Sequence, residues 1–312
     1  MRKGVVCMPK YIIKRVLIGF VTLFVLASVT FFLMKATPGS PFSLAKYKTP
    51  EALAAAEAKY NLDKPLMEQY VIYLKGVAQG NLGESMINTG RSVSYYIKTG
   101  FPVTARLGLI AFVLALVGGI ALGTGAALSR HKWVNNLCMF VATIGVSVPS
   151  FLIAMIMLIV FGVQLHILPF IGLNSPLNYI MPALSLAFYP IAMIARLTRS
   201  SMLEVMNQDY IILARSKGTP YKKVVIKHAL KNAMLPVVTY AGPMFAFMLT
   251  GSFVIESVFS IPGIGSAFVS CITTRDYPII MGLTIFLGFL VITFNLITDI
   301  LSAIIDPRIK LD

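Results

Sequence analysis

Charged positions along the chain fall in clusters, and the apolar gaps between the clusters measure the elements. Nineteen residues without charge separate Arg15 from Lys35, 23 separate Arg106 from Arg130, 24 separate Lys231 from Glu256, and 22 separate Asp276 from Asp299. Each gap holds one helix of the roughly 20 residues needed to cross the hydrocarbon of a bilayer. The gap from Lys132 to Arg196 holds 63 residues, enough for two helices and a turn, and Gln164, His166, Asn174, Ser175 and Asn178 mark the turn. The pattern predicts about six spans.

Between the spans, local signals predict shorter elements. Thr49-Pro50-Glu51 reads as a helix start, with threonine as N-cap, proline at the first position and an acid in the first turn. A second helix is expected from Pro65 to Gln79, stopped by Gly80. This stretch after span one reads either as a small helical cap on the membrane surface or as a solvated connector. Span two carries Gly118, Gly119, Gly123 and Gly125, small residues that let membrane helices approach closely. Pro149, Pro182, Pro190, Pro236 and Pro243 lie in or beside later spans, where neighbours or a water-filled path must satisfy the freed carbonyls.

The loop between spans four and five parses as two short helices. Asn207 is the expected cap of the first, Asp209 suits its positive end, and Arg215 and Lys217 suit the other. Gly218 is expected to close that helix in the left-handed conformation. Thr219 and Pro220 are expected to open the second helix as N-cap and first residue. Along it, Val224, Val225, His228, Ala229 and Asn232 recur at the spacing of one face. A rigid helix–glycine–helix element of this kind is shaped to be pushed; a basic stretch lying on anionic headgroups is the equal alternative.

Composition fits the span count: 57% of residues are apolar, 12% are charged, and mean hydropathy is +0.81. Ordinary soluble chains carry about 25% charged residues. The net charge of +15 does not point to nucleic acid, because its distribution follows the membrane. The first 15 residues hold five Lys/Arg, and the segment from Arg196 to Lys231 holds eight against two acids. The loop between spans three and four holds none, and that between five and six holds only Arg275. By the positive-inside rule both termini and residues 196–232 are cytoplasmic. The long loop after span one, with seven basic and five acidic residues, is the exception, and long translocated loops signal topology weakly. The first apolar stretch is longer than that of a cleaved signal peptide and lacks a good cleavage site, so it reads as a retained anchor.

Several chemistries are disfavoured. No Gly-x-x-x-x-Gly-Lys-Ser/Thr phosphate loop occurs, so the chain supplies no nucleotide cradle of that type. The charge-free gaps hold no mid-span acid or base of the kind an ion-coupled transporter places there; His166 reads as an interfacial histidine. Glu256, Asp276 and Asp299 sit at span ends rather than as a catalytic pair. Cys7, near the N-terminus, Cys138, at the start of span three, and Cys271, in an outer loop, have neither metal-ligand nor disulfide-framework spacing. No segment announces a channel's selectivity element.

The basic loop resembles the cytoplasmic coupling loop of permease subunits of ABC-type importers, in the version of the peptide and nickel importers. Tyr210, Ala214, Arg215, Ser216, Lys217, Gly218, His228, Leu230, Lys231, Asn232, Ala233 and Pro236 match that version. Further similar segments follow in order: Pro38-Gly39-Ser40-Pro41, with Ser40 replacing the family's acid; Gly80-Asn81-Leu82-Gly83-Glu84-Ser85; Ser147-Val148-Pro149-Ser150-Phe151; Pro262-Gly263-Ile264-Gly265; and Arg275-Asp276-Tyr277-Pro278. The resemblance is strongest to the first of the two permeases of an oligopeptide or dipeptide importer. It implies an all-α membrane protein with the type I ABC importer permease fold and a small helical extracytoplasmic region after the first helix. The organisation expected is 1–35 for the cytoplasmic N-terminus and first span, 36–101 for the extracytoplasmic loop, 102–305 for a five-helix core that includes coupling loop 196–232, and 306–312 for a cytoplasmic tail.

The implied function is the membrane-spanning subunit of an ATP-driven peptide importer in the bacterial cytoplasmic (inner) membrane, and not an enzyme. The implied partners are a second homologous permease, two cytoplasmic ABC ATPases, an extracytoplasmic peptide-binding protein and membrane lipid. ATP and Mg2+ would sit on the ATPases, with no cofactor on this chain. Asp209, Tyr210, Ala214, Arg215, Ser216, Lys217, Gly218, His228, Asn232 and Pro236 would form the ATPase-coupling loop. Thr143, Ser147, Tyr189 and Asn295 are candidates for the translocation path, although helix packing accounts for such residues more readily. The alternative function is a secondary, ion-coupled peptide transporter.

Overall fold

The computed structural model describes residues 3–38, 42 and 49–305. Segment 39–41 and the tail 306–312, both carrying expectations from the sequence, lie outside the described residues, as does the side chain of Cys7.

Four helices are long and apolar enough to cross a membrane unaided, and two bent pairs bring the number to six. Helix α1 (Lys3–Ala36) is followed by two short surface helices, α2 (Pro50–Lys59) and α3 (Leu66–Ala78). Helix α4 (Val93–Leu128) runs 36 residues, roughly 54 Å at 1.5 Å per residue, so it projects beyond the hydrocarbon. The boundary expected at residue 102 therefore falls inside a continuous helix. Next come α5 (Lys132–Ser147) and α6 (Ser150–Met157), the latter continuing as a π-helical turn over Leu158–Gln164. A 3-10 turn at Pro176–Tyr179 leads into α7 (Ile180–Met206).

Span three is broken beside Pro149, one of the prolines expected in or beside the spans: α5 and the Ser150–Gln164 segment meet at 104°. Val148 and Pro149 take extended backbone there, which fits the bias of a residue preceding proline away from helix. The second bent pair, Tyr221–Ala233 with α11 (Leu235–Leu249), turns by 53°. Pro236, in the first turn of α11, lacks the N–H that a continuing helix would use.

The two helices expected in the stretch after span one form, and they make a cap packed on α1. Thr49 accepts from the Ala52 N–H at 3.2 Å and Pro50 opens α2. Gly80, at φ +77°, follows the end of α3. Helix α3 buries no residue of its own, but it is fastened to α1: the Ser28 and Tyr70 hydroxyls are 2.6 Å apart, and Tyr73 stacks on Phe31 with ring centres 5.5 Å apart.

The main core lies between α4 and α7, with α11 beside them; Leu107, Ala111, Ala115, Ala187, Ile194 and Met248 are buried there. Two of the four glycines of span two make the close approach possible. A β-carbon at Gly123 would stand 2.5 Å from the Ala195 carbonyl oxygen, and one at Gly119 2.6 Å from the Ile194 β-carbon. Gly118 makes ordinary contact and Gly125 faces open space. A second core joins α1 to α14 (Tyr277–Ile305) and is buried around Phe31, Ile279 and Leu283. At the other end of that pair, Arg15 and Asp299 form an ion pair at 3.2 Å.

Candidate functional site

The 207–236 loop sits at the end of α4 remote from the cap, since its own core packs on Ala127 and Leu128. It begins as α7 stops. Asn207 is not the cap of the next helix, as expected, but the residue that closes α7: its amide donates back to the Leu203 carbonyl at 3.0 Å. Gln208 takes the capping position of α8 (Asp209–Ser216) without a side-chain bond. Asp209 lies in the first turn and Arg215 in the last, charges that suit the two ends of a helix dipole.

Gly218 closes α8 as expected, at φ +74°. Its N–H donates to the Arg215 carbonyl at 2.9 Å, and the Thr219 N–H to that of Ala214 at 3.2 Å, the paired bonds of a Schellman closure. This explains a second correction. Thr219 finishes α8 instead of capping the next helix; Pro220 is the capping residue, and the helical backbone begins at Tyr221. That segment comprises α9 (Tyr221–Lys223), a π-helical stretch over Val224–Leu230, and α10 (Lys231–Ala233).

The face expected on the second helix is partly present. Val224, Val225 and Ala229 are buried with Met202, Ile211 and Ala233, whereas His228 is half-buried and Asn232 exposed. Asn232 instead ties the two halves together, donating to the Tyr210 hydroxyl at 3.0 Å and to the His228 carbonyl at 2.8 Å. Outside this small core stand apolar side chains with no cover: Tyr210, Ile212, Leu213 and Tyr221 are 41–57% exposed. Ala214 is half-buried, and Arg215, Ser216, Lys217 and Pro236 are exposed around them. An apolar patch rimmed by basic residues has the composition of an interaction surface.

The four candidates for the path are spread over three helices. Thr143 and Ser147 on α5 are exposed and donate to carbonyls of their own helix, Met139 and Thr143, each at 2.8 Å. Tyr189 on α7 is 42% exposed. Asn295 on α14 holds a buried side-chain oxygen without a partner among the described residues. Helix α5 packs on α7, whereas α14 packs chiefly on α11 and α1.

Sequence reasoning named Glu256 and Asp276 only as acids at span ends and missed that both are buried near the cap end, in segments that lie outside the spans. Glu256, on α12 (Phe253–Val258), is fully buried. It accepts from the Thr104 hydroxyl at 2.8 Å and the Ser266 N–H at 3.0 Å, while Thr104 itself accepts from the Ile264 N–H at 2.9 Å. Asp276 follows α13 (Ile264–Thr274) and is also fully buried. It accepts from the Ser85 hydroxyl at 2.5 Å and the Met86 N–H at 3.0 Å. Burial raises the carboxyl pKa of both despite these bonds. Cys271, expected in an outer loop, lies buried on α13, and desolvation with the nearby Asp276 charge pushes its thiol up to about 12. The signal for Glu256 and Asp276 was present: they are the two acids between spans five and six.

Comparison with known proteins agrees with this architecture. Residues 119–311 match the family described as the binding-protein-dependent transport system inner membrane component, and residues 8–107 match its N-terminal companion. The dipeptide transport system permease protein DppB of Bacillus subtilis is 43% identical over 97% of this chain and 99% of its own length. The oligopeptide transport system permease protein OppB of Haemophilus influenzae is 43% identical over 97% of this chain and 100% of its own. Among solved structures, the MetNI methionine ABC transporter in an inward-facing form superposes with a TM-score of 0.54 at 17% identity, covering 68% of this chain and 97% of the matched one. An amino acid ABC transporter gives 0.53 at 16% identity, over 67% and 94%. At such identities these two likenesses speak for the fold alone.

Proposed function

The chain belongs to the family of inner-membrane components of binding-protein-dependent transport systems, and from that premise we propose that it imports peptides, oligopeptides or dipeptides, as the names of its relatives say of them. It is a multi-pass membrane subunit of a bacterial ABC importer, and ATP is handled by a partner ATPase. The complete assembly in this reading pairs it with a second homologous permease, two cytoplasmic ATPases and an extracytoplasmic peptide-binding protein. The basic residues of the 207–236 loop support a cytoplasmic position for that loop and for both termini.

One observation carries the coupling role. Helix α8 and the segment after it form a small body with its own core, resting on the ends of α4 and α7 and exposing Tyr210, Ile212 and Leu213. A groove on an ATPase receives α8, with Arg215 and Lys217 at the rim. Closure of the two ATPases moves both permeases' loops together, and α7 and α11 carry the motion to the path between the permeases. ATP drives the change through its differential affinity for the two states of the assembly.

Reconstitution tests this. The chain with its partner subunits and loaded binding protein is expected to take up peptide only with ATP. Uptake by the chain alone, driven by a proton gradient and indifferent to ATP, would establish the ion-coupled alternative. For topology, a cysteine introduced at Lys217 is expected to react with an impermeant thiol reagent only from the cytoplasmic side; labelling of intact cells there would reverse the orientation.

A further inference from the structure

A cavity of about 360 Å3 lies under the cap, between α3, the last turn of α1 and the first turns of α14. It is far from the 207–236 loop, and the transport reading assigns it nothing. Phe31, Ile72, Leu82 and Met281 make its apolar walls, and Lys35 and Lys59 bring positive charge to it. Lys35 is half-buried; its ammonium donates to the Gln69 side-chain oxygen and lies 5.8 Å from the centre of the Phe31 ring.

What is missing around Lys35 is an anion. Among the described residues Arg15 pairs with Asp299 and Lys64 with Glu68, but no carboxylate comes within ion-pair distance of Lys35 or Lys59. Glu84, the acid on the cavity wall, is exposed and pairs with neither. An ammonium has three donors, and the Gln69 bond accounts for one of those on Lys35. Tyr73 on the same wall holds a buried hydroxyl without a partner among the described residues. Burying a charge or a hydroxyl unpaired is costly, and one anionic group would relieve both.

The depth of the cavity selects the source of that anion. Lys35 ends a membrane span and Pro278 and Met281 begin another, so the cavity sits at the level where headgroups meet acyl chains. Below Lys35 the outward face of α1 is apolar, with Val29, Phe32 and Leu33 39–59% exposed. The volume lies within the range of small-ligand sites. We propose that the cavity binds the headgroup of an anionic phospholipid, its phosphate oxygens accepting from Lys35 and Tyr73 and its acyl chains lying along α1 and α14. The site joins the N-terminal segment to the last helix, so a bound lipid steadies the cap on the bundle.

The test uses the full chain in the complex with which it purifies, delipidated in mild detergent and examined by native mass spectrometry. Phosphatidylglycerol, phosphatidylcholine and glycerol phosphate are added at matched concentrations. Wild type is expected to retain phosphatidylglycerol about tenfold better than phosphatidylcholine, whose phosphate offers the same oxygens but whose choline cation is repelled by Lys35 and Lys59. Lys35→Gln is expected to bring that ratio to about one and Lys35→Arg to preserve it, as follows from charge recognition. Lys59→Gln, which leaves the Lys35–Gln69 bond in place, is expected to lower the ratio by a smaller factor, and Met281→Trp to fill the cavity and abolish retention. Equal retention of the two lipids by wild type, or an unchanged ratio in both lysine-to-glutamine variants, overturns the site. Glycerol phosphate binding as tightly as phosphatidylglycerol overturns the lipid and assigns a soluble anion. If Lys35→Gln does not assemble, Lys59→Gln and Met281→Trp decide.

Discussion

The two ends of α4 are held in different ways. Near its beginning, Thr104 is gripped on both sides by Glu256 and the Ile264 N–H, in a place closed to water. Beyond its end, Ala127 and Leu128 offer the 207–236 loop apolar contact, and the bond joining the loop's two halves, from Asn232 to Tyr210, is exposed. Buried polar networks specify one geometry because every member depends on the others. Apolar contacts over a small core permit a body to shift as a unit. The cap end is therefore held by a closed polar network and the loop end by apolar contact, with the α4–α7 seam between them; the proposed coupling needs the first to stay and the second to move.

Breaking the fixed end is expected to have the largest effect. Glu256→Leu leaves the Thr104 hydroxyl and the Ser266 N–H buried without an acceptor, at about 1–3 kcal/mol for each. Assembly of the purified complex is expected to fall sharply, read as a lowered thermal midpoint and a loss of monodisperse protein. A midpoint like that of wild type would mean that the grip on α4 is not structural. The same carboxyl gives a pH signature. Because burial raises its folded pKa, the folded state holds the proton more tightly than the unfolded one. The penalty is then absent below the unfolded value and grows as pH rises to the folded value. The thermal midpoint is expected to fall through that window, and less so in Glu256→Gln, which mimics the protonated form.

Next in size is the seam. Gly123→Leu places a β-carbon 2.5 Å from the Ala195 carbonyl, and overpacking of this kind costs about 1–3 kcal/mol. Gly125→Leu, two residues further along and facing open space, is expected to leave the midpoint unchanged. The pair separates a steric role from helix propensity, which is the same at both positions. A drop in both variants would remove the seam from the comparison.

These positions also mark how far sequence reads structure. Charge-free gaps measured the spans because a bilayer fixes their length, and Thr49, Gly80 and Gly218 were legible because each acts on its immediate neighbours. The 104° bend at Pro149 was not legible, since a gap records length and not direction. Asn207 and Thr219 were misassigned for one reason: each sits between two helices, and the preceding helix claims it first, through the Leu203 and Ala214 carbonyls. Glu256 and Asp276 find partners 152 and 191 residues away, in Thr104 and Ser85. No local rule reaches that distance. In the candidate site the left-handed closure at Gly218 was visible, but the apolar patch of Tyr210, Ile212 and Leu213 needed the fold to show which side of α8 is covered.

At the loop end the effect on transport is expected to exceed the effect on stability. A β-carbon at Gly218 meets nothing within 4 Å, so space is not the constraint; its φ of +74° is. A left-handed residue with a β-carbon costs about 1–2 kcal/mol, and valine, branched at that carbon, tilts α8 against the following segment. Gly218→Val is expected to abolish ATP-driven uptake while the complex still assembles and docks its binding protein. Gly218→Asn, a residue that tolerates the left-handed region, is expected to retain most uptake. Equal loss in both would shift the explanation from backbone conformation to contact with the ATPase.

The smallest effect is expected from Tyr210→Phe, and it sharpens the comparison most finely. The substitution removes one hydroxyl and with it the 3.0 Å bond from Asn232, while the ring, 41% exposed, remains for a partner's groove. Neutral hydrogen bonds contribute about 0.5–1.5 kcal/mol, and an exposed one belongs at the low end, so the thermal midpoint should scarcely move. If α8 and the Tyr221–Ala233 segment travel as one body, loosening this tie lets the push on α8 dissipate before it reaches α11. Uptake per ATP hydrolysed is then expected to fall while ATP hydrolysis stays near its wild-type rate. Asn232→Ala removes the same bond from the other side and should lower the ratio equally, with the double variant no worse than either single. Additive losses would mean that Tyr210 and Asn232 act separately, and that the two halves of the loop are not joined through them.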